Sequence, residues 1–217
     1  MAKATLTISS KNYSSWSLRG WLLCKMAGID FIEKPVNIDD PETRQELLLL
    51  SPSVRVPRLN HNGVDVWDTL AIAEYLNEVA PEAGLLPDDI KTRAHCRAIS
   101  GEIHSGFYNL RSALPMNIKA RHKTFKFFSG ARPDVLRIKE IWSECLETYG
   151  GPFLFGEPTV ADAMYAPVCT RFRTYAVELD PEIDAYCTRI YDWAPMAEWI
   201  AAANEEPDEM VELEVEF

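Results

Sequence analysis

Apolar and polar residues follow two different patterns along this chain, and the change comes near residue 80. Before it, the pattern predicts strands over 4–9, 31–36, 57–60 and 64–67, and helices over 15–27, 42–50 and 69–80. After it, the spacing is helical throughout and predicts helices over 89–113, 118–129, 134–149, 160–177, 182–192 and 195–204. We therefore expect a small α/β unit followed by an all-helical unit.

Turn and linker signals in the sequence support this division into two units. Asn62-Gly63 separates two predicted strands and is a strong hairpin signal. A segment rich in proline and glycine, 81–88, is typical of a linker. The predicted order is an α/β domain over 1–80, the linker, a helical domain over 89–204 and an acidic tail over 205–217.

Charge and cysteine content narrow the functional classes. The 217 residues carry a formal net charge of −11, and seven of the acids lie in the last 13 residues, so the rest of the chain carries −4. No basic cluster indicates nucleic acid, and no apolar run is long enough to cross a membrane. Five widely spaced cysteines, an odd number with no CxxC pair, and the lack of a signal peptide predict a cytoplasmic protein with reduced thiols.

The segment Ser14-Ser15-Trp16-Ser17-Leu18-Arg19 lies where the first strand leads into the first helix. The first turn of a helix has unpaired N–H groups and a partial positive charge, so it favours an anion in front of it. A thiolate is one such anion. Simple helix capping by a serine is the alternative.

Three further motifs carry structural or chemical meaning. Val56-Pro57 opens a strand, a position where proline is tolerated. Asp68-Thr69 stands at a strand-to-helix junction, and the pair either caps the helix or presents a carboxylate and a hydroxyl to an amino-acid-like ligand. Thr159-Val160-Ala161-Asp162 has the spacing of a capping box, with a structural role.

Taken together and in this order, these four motifs resemble the glutathione S-transferase family over essentially the whole chain. The resemblance implies a thioredoxin-like N-terminal domain, an all-helical C-terminal domain, a homodimer and glutathione as co-substrate. The first helix resembles the serine-type, zeta-like branch, which has Ser-Ser-Cys-x-x-Arg where this chain has Trp16 in place of the cysteine. The segment 102–117 resembles an uncharacterised bacterial subgroup of the same family.

The resemblance also implies roles for particular residues. Ser14, with Ser15 as its close rival, would donate a hydrogen bond to the glutathione sulfur and lower the thiol pKa. Val56 would pair its main chain with the cysteinyl backbone of glutathione, beside a cis Pro57. Asp68 and Thr69 would hold the γ-glutamyl head. Arg55 is either a partner of the peptide carboxylates or a solvated surface residue.

The acceptor is expected between the two domains, facing the helix predicted over 89–113. The electrophile-site candidates are Trp16, His104, Phe107, Tyr108 and Arg111, with Phe172 and Tyr175 approaching from a facing helix. Core or dimer contacts are the alternative for the aromatic residues. His104 is either a general base or an ordinary hydrogen-bonded group. A cation at Arg111 favours an anionic or polarised acceptor. No histidine or cysteine spacing indicates a metal.

Three functional hypotheses remain open. The first is a transferase that adds the glutathione thiolate to small electrophiles. The second is a glutathione-dependent isomerase or dehalogenase of the maleylacetoacetate isomerase type, and the third is a non-catalytic glutathione-binding module. A thiol-disulfide oxidoreductase is disfavoured, because Ser14 stands where redox relatives have cysteine.

Overall fold

The architecture is that of a computed structural model, which describes residues 4–36, 55–122 and 129–207. The helix expected over 42–50 lies outside these residues, as do most of the residues expected to form the acidic tail. The N-terminal part contains β1 (Ala4–Ile8), α1 (Ser15–Met26), β2 (Phe31–Pro35), β3 (Arg58–His61), β4 (Val64–Trp67) and α2 (Thr69–Val79). Each of these elements lies within one residue of its predicted bounds.

The described strands form one mixed sheet in the order β2-β1-β3-β4. Strand β1 is parallel to β2, so that Leu6 faces Glu33 across the pair, and it is antiparallel to β3. Strands β3 and β4 form the predicted hairpin, whose turn residues Asn62 and Gly63 both have positive φ. This arrangement brings the end of β1 and the start of α1 to one edge of the N-terminal domain.

The C-terminal part is helical, as expected. After a 3₁₀ turn at Pro81–Ala83 it contains α3 (Ile90–Ser105), α4 (Tyr108–Ala113), α5 (Arg132–Tyr149), α6 (Val160–Thr174), α7 (Pro181–Asp192) and α8 (Ala194–Glu205). A second 3₁₀ turn precedes α5 at Ser129–Ala131. Within the described ranges no helix is both long and apolar enough to cross a membrane.

Two helical predictions were wrong in detail. The helix expected over 89–113 is divided, because Gly106 ends α3 and Phe107 has a φ of 59° in the left-handed region. A backbone in that region cannot continue a right-handed helix. The helix expected over 118–129 is absent from residues 118–122, which are irregular, and the remainder lies mostly outside the described residues.

Helix α6 joins the two halves of the molecule. It packs against α1 on one side and α3 on the other, and nearly all of its residues are buried. The predicted capping box at its start is present: the Asp162 carboxylate accepts the Thr159 N–H at 2.8 Å. Because α6 contacts α1 directly, the core of the helical domain holds the helix that begins at Ser15.

Candidate functional site

The first turn of α1 offers main-chain donors at the edge of the N-terminal domain. Ser14 is the N-cap: its hydroxyl accepts the N–H of Ser17 at 3.2 Å and donates to the Ser17 hydroxyl at 2.9 Å. The Ser14 N–H is itself bonded to the Ser10 carbonyl at 3.0 Å. The remaining donors of this turn are the N–H groups of Ser15 and Trp16, which have no partner among the described residues.

The two candidate serines therefore differ in their environment. The Ser14 hydroxyl is partly buried and already bonded to Ser17. Ser15 is 8% exposed, and its hydroxyl makes no hydrogen bond within the described parts of the chain. Ser17 is fully buried and its hydroxyl accepts the Ser9 N–H at 3.0 Å, which ties the end of β1 to the first turn of α1. The sequence did not single out Ser9 or Ser17.

Pro57 packs against α1 at a close approach. The Val56–Pro57 bond is cis, as the resemblance implied, and Pro57 is buried. A Cβ added at Gly20 would lie 2.5 Å from the Pro57 ring, so glycine is required where α1 passes this proline. Val56 is partly buried beside it, and Arg55 is exposed. This contact fixes the main chain of Val56 relative to the start of α1.

Asp68 and Thr69 lie at the start of α2 and are both connected to the helical domain. Asp68 is the N-cap of α2 with a φ of 75°, a left-handed conformation that is uncommon for a residue other than glycine. Its Oδ1 accepts the N–H groups of Leu70 at 2.9 Å and Ala71 at 3.4 Å. Its Oδ2 lies 3.1 Å from His104 Nε2.

His104 completes this group from α3. Its Nδ1 lies 3.3 Å from the Thr69 hydroxyl, and Thr69 is 1% exposed. A neutral imidazole protonated at Nε2 donates to Asp68 and accepts from Thr69, which satisfies both ring nitrogens. His104 is thus a bridge between the domains, and this geometry agrees with the hydrogen-bonded alternative considered for it.

Two guanidinium groups lie close to the Trp16 ring. The Arg19 guanidinium lies 4.6 Å from the indole centroid, and that of Arg111 lies 4.8 Å from it. The His104 ring meets the same indole edge-on at 5.2 Å. The structure therefore brings together three of the predicted electrophile-site residues, Trp16, His104 and Arg111, at the junction of α1, α3 and α4.

Three arginines, Arg19, Arg111 and Arg171, form a cluster near this point, in which burial and the mutual charges of the three affect their pKa values. Arg19 and Arg171 are 2% and 6% exposed, and none of the three forms an ion pair with a described residue. Burial, followed by the charges of Arg111 and Arg171, lowers the pKa of Arg19. Burial, followed by the charge of Arg111, lowers the pKa of Arg171 to about 10.

Part of the hydrogen-bonding capacity of the arginine cluster is unused. Arg19 Nε donates to the Met164 carbonyl at 2.8 Å, but its Nη1 is buried without a partner in the described chain. Arg111 donates to the carbonyls of Ile103 and His104 at the end of α3, while its buried Nε is likewise unpartnered. Unsatisfied buried donors of like charge are costly, and a bound anion would satisfy them.

Four aromatic candidates are not part of this group. Phe107 is 8% exposed and belongs to the hydrophobic core, whereas Tyr108 is 79% exposed. Phe172 and Tyr175 are 1% and 2% exposed and also lie in the core. Among the described residues, no group of histidine, cysteine or acidic side chains is arranged to hold a metal ion.

Comparison with known proteins identifies the family. A model of the glutathione S-transferase N-terminal domain matches residues 13–79, and one of the C-terminal domain matches residues 109–202. The chain belongs to the glutathione S-transferase family. It is therefore a glutathione-dependent enzyme whose co-substrate is glutathione, with a thioredoxin-like N-terminal domain and a helical C-terminal domain.

Individual relatives lie within the same family. A probable maleylacetoacetate isomerase from Caenorhabditis elegans is 30% identical over 77% of this chain and 78% of its own length. The maleylacetoacetate isomerase of Rattus norvegicus is 30% identical over 77% of each chain. In fold, the chain is similar to a glutathione transferase homolog from Burkholderia GL BGR1 with bound glutathione, with a TM-score of 0.71, 24% identity and coverage of 95% of this chain and 100% of the other.

Proposed function

We propose that this transferase holds glutathione with its sulfur, as the thiolate, against the first turn of α1. The open N–H groups of Ser15 and Trp16 and the partial charge of the helix start favour an anion there. A hydroxyl from Ser14 or Ser15 donates to the sulfur and stabilises the thiolate. The observation that carries the proposal is this unsatisfied first turn at the junction of the two domains.

The rest of glutathione extends along the N-terminal domain. Val56, next to cis Pro57, pairs its main chain with the cysteinyl residue of glutathione as an added strand would. Asp68 and Thr69 bind the γ-glutamyl head. Arg55, which is exposed to solvent, binds the peptide carboxylates. Asp68 Oδ2 lies 3.1 Å from His104 Nε2, so binding of the γ-glutamyl head by this oxygen would replace its contact with His104.

The acceptor lies over Trp16 and carries an anionic group. The buried N–H groups of Arg19 and Arg111 that lack a partner are the donors for it, and a carboxylate is the natural match for a guanidinium. Thiolate attack on such an acceptor develops negative charge close to the arginine cluster, which stabilises that charge.

A glutathione-dependent isomerase is the second candidate. Its support is the 30% identity to relatives named maleylacetoacetate isomerase. Trp16, which replaces the cysteine of the zeta-like signature, favours the transferase instead. The two differ in the fate of glutathione, because a transferase consumes it and an isomerase returns it.

Two measurements test the proposal. In the first, bound glutathione is titrated by thiolate ultraviolet absorbance in the wild type, Ser14→Ala and Ser15→Ala. We expect the thiol pKa to lie about two units below that of free glutathione and to rise in the variant that lacks the donating hydroxyl. If the thiol pKa of glutathione bound to the wild type equals that of free glutathione, the non-catalytic binding module becomes the favoured hypothesis.

In the second, glutathione consumption is followed with paired acceptors that differ only in a carboxylate and its methyl ester. Consumption in proportion to product, with the carboxylate preferred, is the expected result. Turnover with constant total glutathione would establish the isomerase. Equal rates for acid and ester would refute the role of the arginine cluster.

We also propose a cytoplasmic homodimer with a glutathione-binding domain over 1–80 and a helical domain over 89–204. All five cysteines are free and buried, which suits a reducing compartment. Val64, Trp67 and Ile90 are large apolar side chains that are 46%, 39% and 71% exposed in the single chain. Covering them in a second copy would remove this exposed apolar surface from water, and light scattering measures the resulting mass.

A further inference from the structure

The loop that leads from β1 to the candidate active site is held by the C-terminal end of the last described helix. Glu206, the C-cap of α8, directs its carboxylate at this loop. Its Oε1 accepts the N–H of Lys11 at 2.7 Å, and its Oε2 accepts the N–H of Asn12 at 3.0 Å. Oε2 also accepts the hydroxyl of Ser10 at 2.7 Å.

These bonds reach the start of α1 through the hydrogen bonds of Ser10. The Ser10 carbonyl accepts the N–H of Ser14, the N-cap, at 3.0 Å. The Ser10 hydroxyl also accepts the N–H groups of Asn12 at 3.1 Å and Tyr13 at 3.2 Å. The carboxylate therefore holds Ser10, and Ser10 in turn holds the N-cap Ser14 at the start of α1.

Other contacts from the helical domain hold the loop but do not replace the carboxylate. Trp199 donates to the Lys11 carbonyl at 2.9 Å, and the Asn12 side chain donates to Asn117 at 3.0 Å. None of these contacts accepts the N–H of Lys11 or Asn12. Hydrogen bonds to an ionised acceptor are about twice as strong as neutral ones. Removing the carboxylate leaves the Lys11 N–H without its acceptor and the Asn12 N–H bonded only to the Ser10 hydroxyl.

We propose that Glu206 is a positioning residue for the thiolate site: its carboxylate keeps the loop over 10–13 in the conformation that aims the first turn of α1 at the glutathione sulfur. The proposal rests on the proposed function, since it assigns a role at the same site. It also gives a positioning role to a residue that the sequence placed in the predicted acidic tail over 205–217.

The sign of the effect separates positioning from simple electrostatics. A carboxylate near a thiolate raises the thiol pKa by charge repulsion, so neutralising it would lower that pKa. A misplaced first turn would instead weaken the hydrogen bonds to the sulfur and raise the thiol pKa. The two explanations therefore predict opposite shifts in the same titration.

The test compares Glu206→Gln with Glu205→Gln, which neutralises the adjacent, exposed acid at the end of α8. We expect Glu206→Gln to raise the pKa of bound glutathione by about one unit and to lower kcat about tenfold, while Glu205→Gln behaves as the wild type. Amide hydrogen exchange at Lys11 and Asn12 should quicken in Glu206→Gln alone. Ser10→Ala removes the hydroxyl that donates to Glu206 and accepts the N–H groups of Asn12 and Tyr13. It should shift the pKa in the same direction and serves if Glu206→Gln does not fold.

The outcomes are distinct. A wild-type thiol pKa equal to that of free glutathione refutes the proposed function itself. A lowered wild-type pKa that stays unchanged or falls further in Glu206→Gln refutes the positioning role and leaves the proposed function intact. A rise of the same size in Glu205→Gln refutes it as well, because the effect would then belong to the net charge of the helix end.

Discussion

Two regions of this molecule bury charge, and they treat it in opposite ways. Asp162, at the start of α6, is fully buried, and its two oxygens accept bonds from the N–H groups of Leu154 and Thr159 and from the hydroxyls of Thr159 and Tyr186, at 2.8–3.1 Å. Burial raises its pKa to about 6, against the effect of these donors. In the arginine cluster Arg19 is also buried, but its Nη1 and the Nε of Arg111 have no hydrogen-bond partner among the described residues.

The difference separates a structural charge from a binding charge. A buried group whose hydrogen bonds are all made within the chain contributes to the fold, because its removal leaves several partners unpaired. A buried group with unused donors gives up stability and retains the capacity to bind a ligand. The four predictions that follow test this distinction, beginning with the largest effect.

Asp162→Ala should cost the most stability. It leaves two main-chain N–H groups and two hydroxyls without their acceptor, and we expect a loss of about 3–5 kcal/mol in the free energy of unfolding. Urea unfolding followed by tryptophan fluorescence measures it, with the exposed Glu157→Ala as the matched control. A loss no greater than that of the control would show that the hydrogen-bonded Asp162 carboxylate does not stabilise the fold.

Arg19→Met should lower activity and leave stability intact. Replacing an unpaired buried cation by an apolar side chain of similar length should leave stability unchanged within about 1 kcal/mol or raise it. The kcat/KM for a carboxylate acceptor should fall about 10–100-fold, equivalent to about 1.4–2.7 kcal/mol of lost binding, with little change for its methyl ester. Steady-state kinetics on both acceptors provide the measurement.

Arg173→Met is the control for that variant, since Arg173 lies on α6 and pairs with Asp184 at 2.6 Å. It should leave the preference for the acid over the ester intact. If Arg19→Met proves as destabilising as Asp162→Ala, the arginine cluster stabilises the fold as Asp162 does, and the two regions do not differ in this respect.

A small dicarboxylate should stabilise the wild-type protein by occupying the cluster. Succinate at about five times its dissociation constant would add about 1 kcal/mol, which raises Tm by about 2–4 °C for a chain of this size. Differential scanning fluorimetry with sodium chloride at equal ionic strength as the reference detects it. An equal rise in Arg19→Met would show that the effect comes from elsewhere on the surface.

His104→Gln should have the smallest effect. His104 bridges the exposed Asp68 and the buried Thr69, and a polar pair at a partly exposed position contributes about 0.5–1 kcal/mol. We expect KM for glutathione to change about two- to fivefold with kcat nearly unchanged. His95→Gln, whose ring lies 2.9 Å from the Tyr149 hydroxyl, is the matched control. A large fall in kcat would instead make His104 a proton-transfer group.

The parts of the fold and site that sequence could predict are those encoded by local signals. Hydrophobic periodicity located the described strands and most helices, and the serines before α1 and the Thr159–Asp162 box were recognisable as helix starts. The break at Phe107 was missed because apolar spacing continues across Ser105-Gly106, whereas the backbone turns there with a φ of 59°. Gly106 before an aromatic residue was the available signal.

The missed parts of the site depend on contacts between distant segments. Arg19 lay within the motif that was quoted, but nothing in the spacing of the chain places Arg171 beside it. Glu206 was grouped with the acidic residues of the tail because composition cannot separate a solvated carboxylate from one that accepts loop amides. Such groupings arise only when α6 and α8 pack against α1.

The most direct test of the central claim is a crystal structure of the enzyme with glutathione. We expect the sulfur to lie within hydrogen-bonding distance of the Ser14 or Ser15 hydroxyl and to face the N–H groups of the first turn of α1, with the space for the acceptor on the side of Trp16. A sulfur directed away from that turn, with both serine hydroxyls bonded only within the protein, would contradict it.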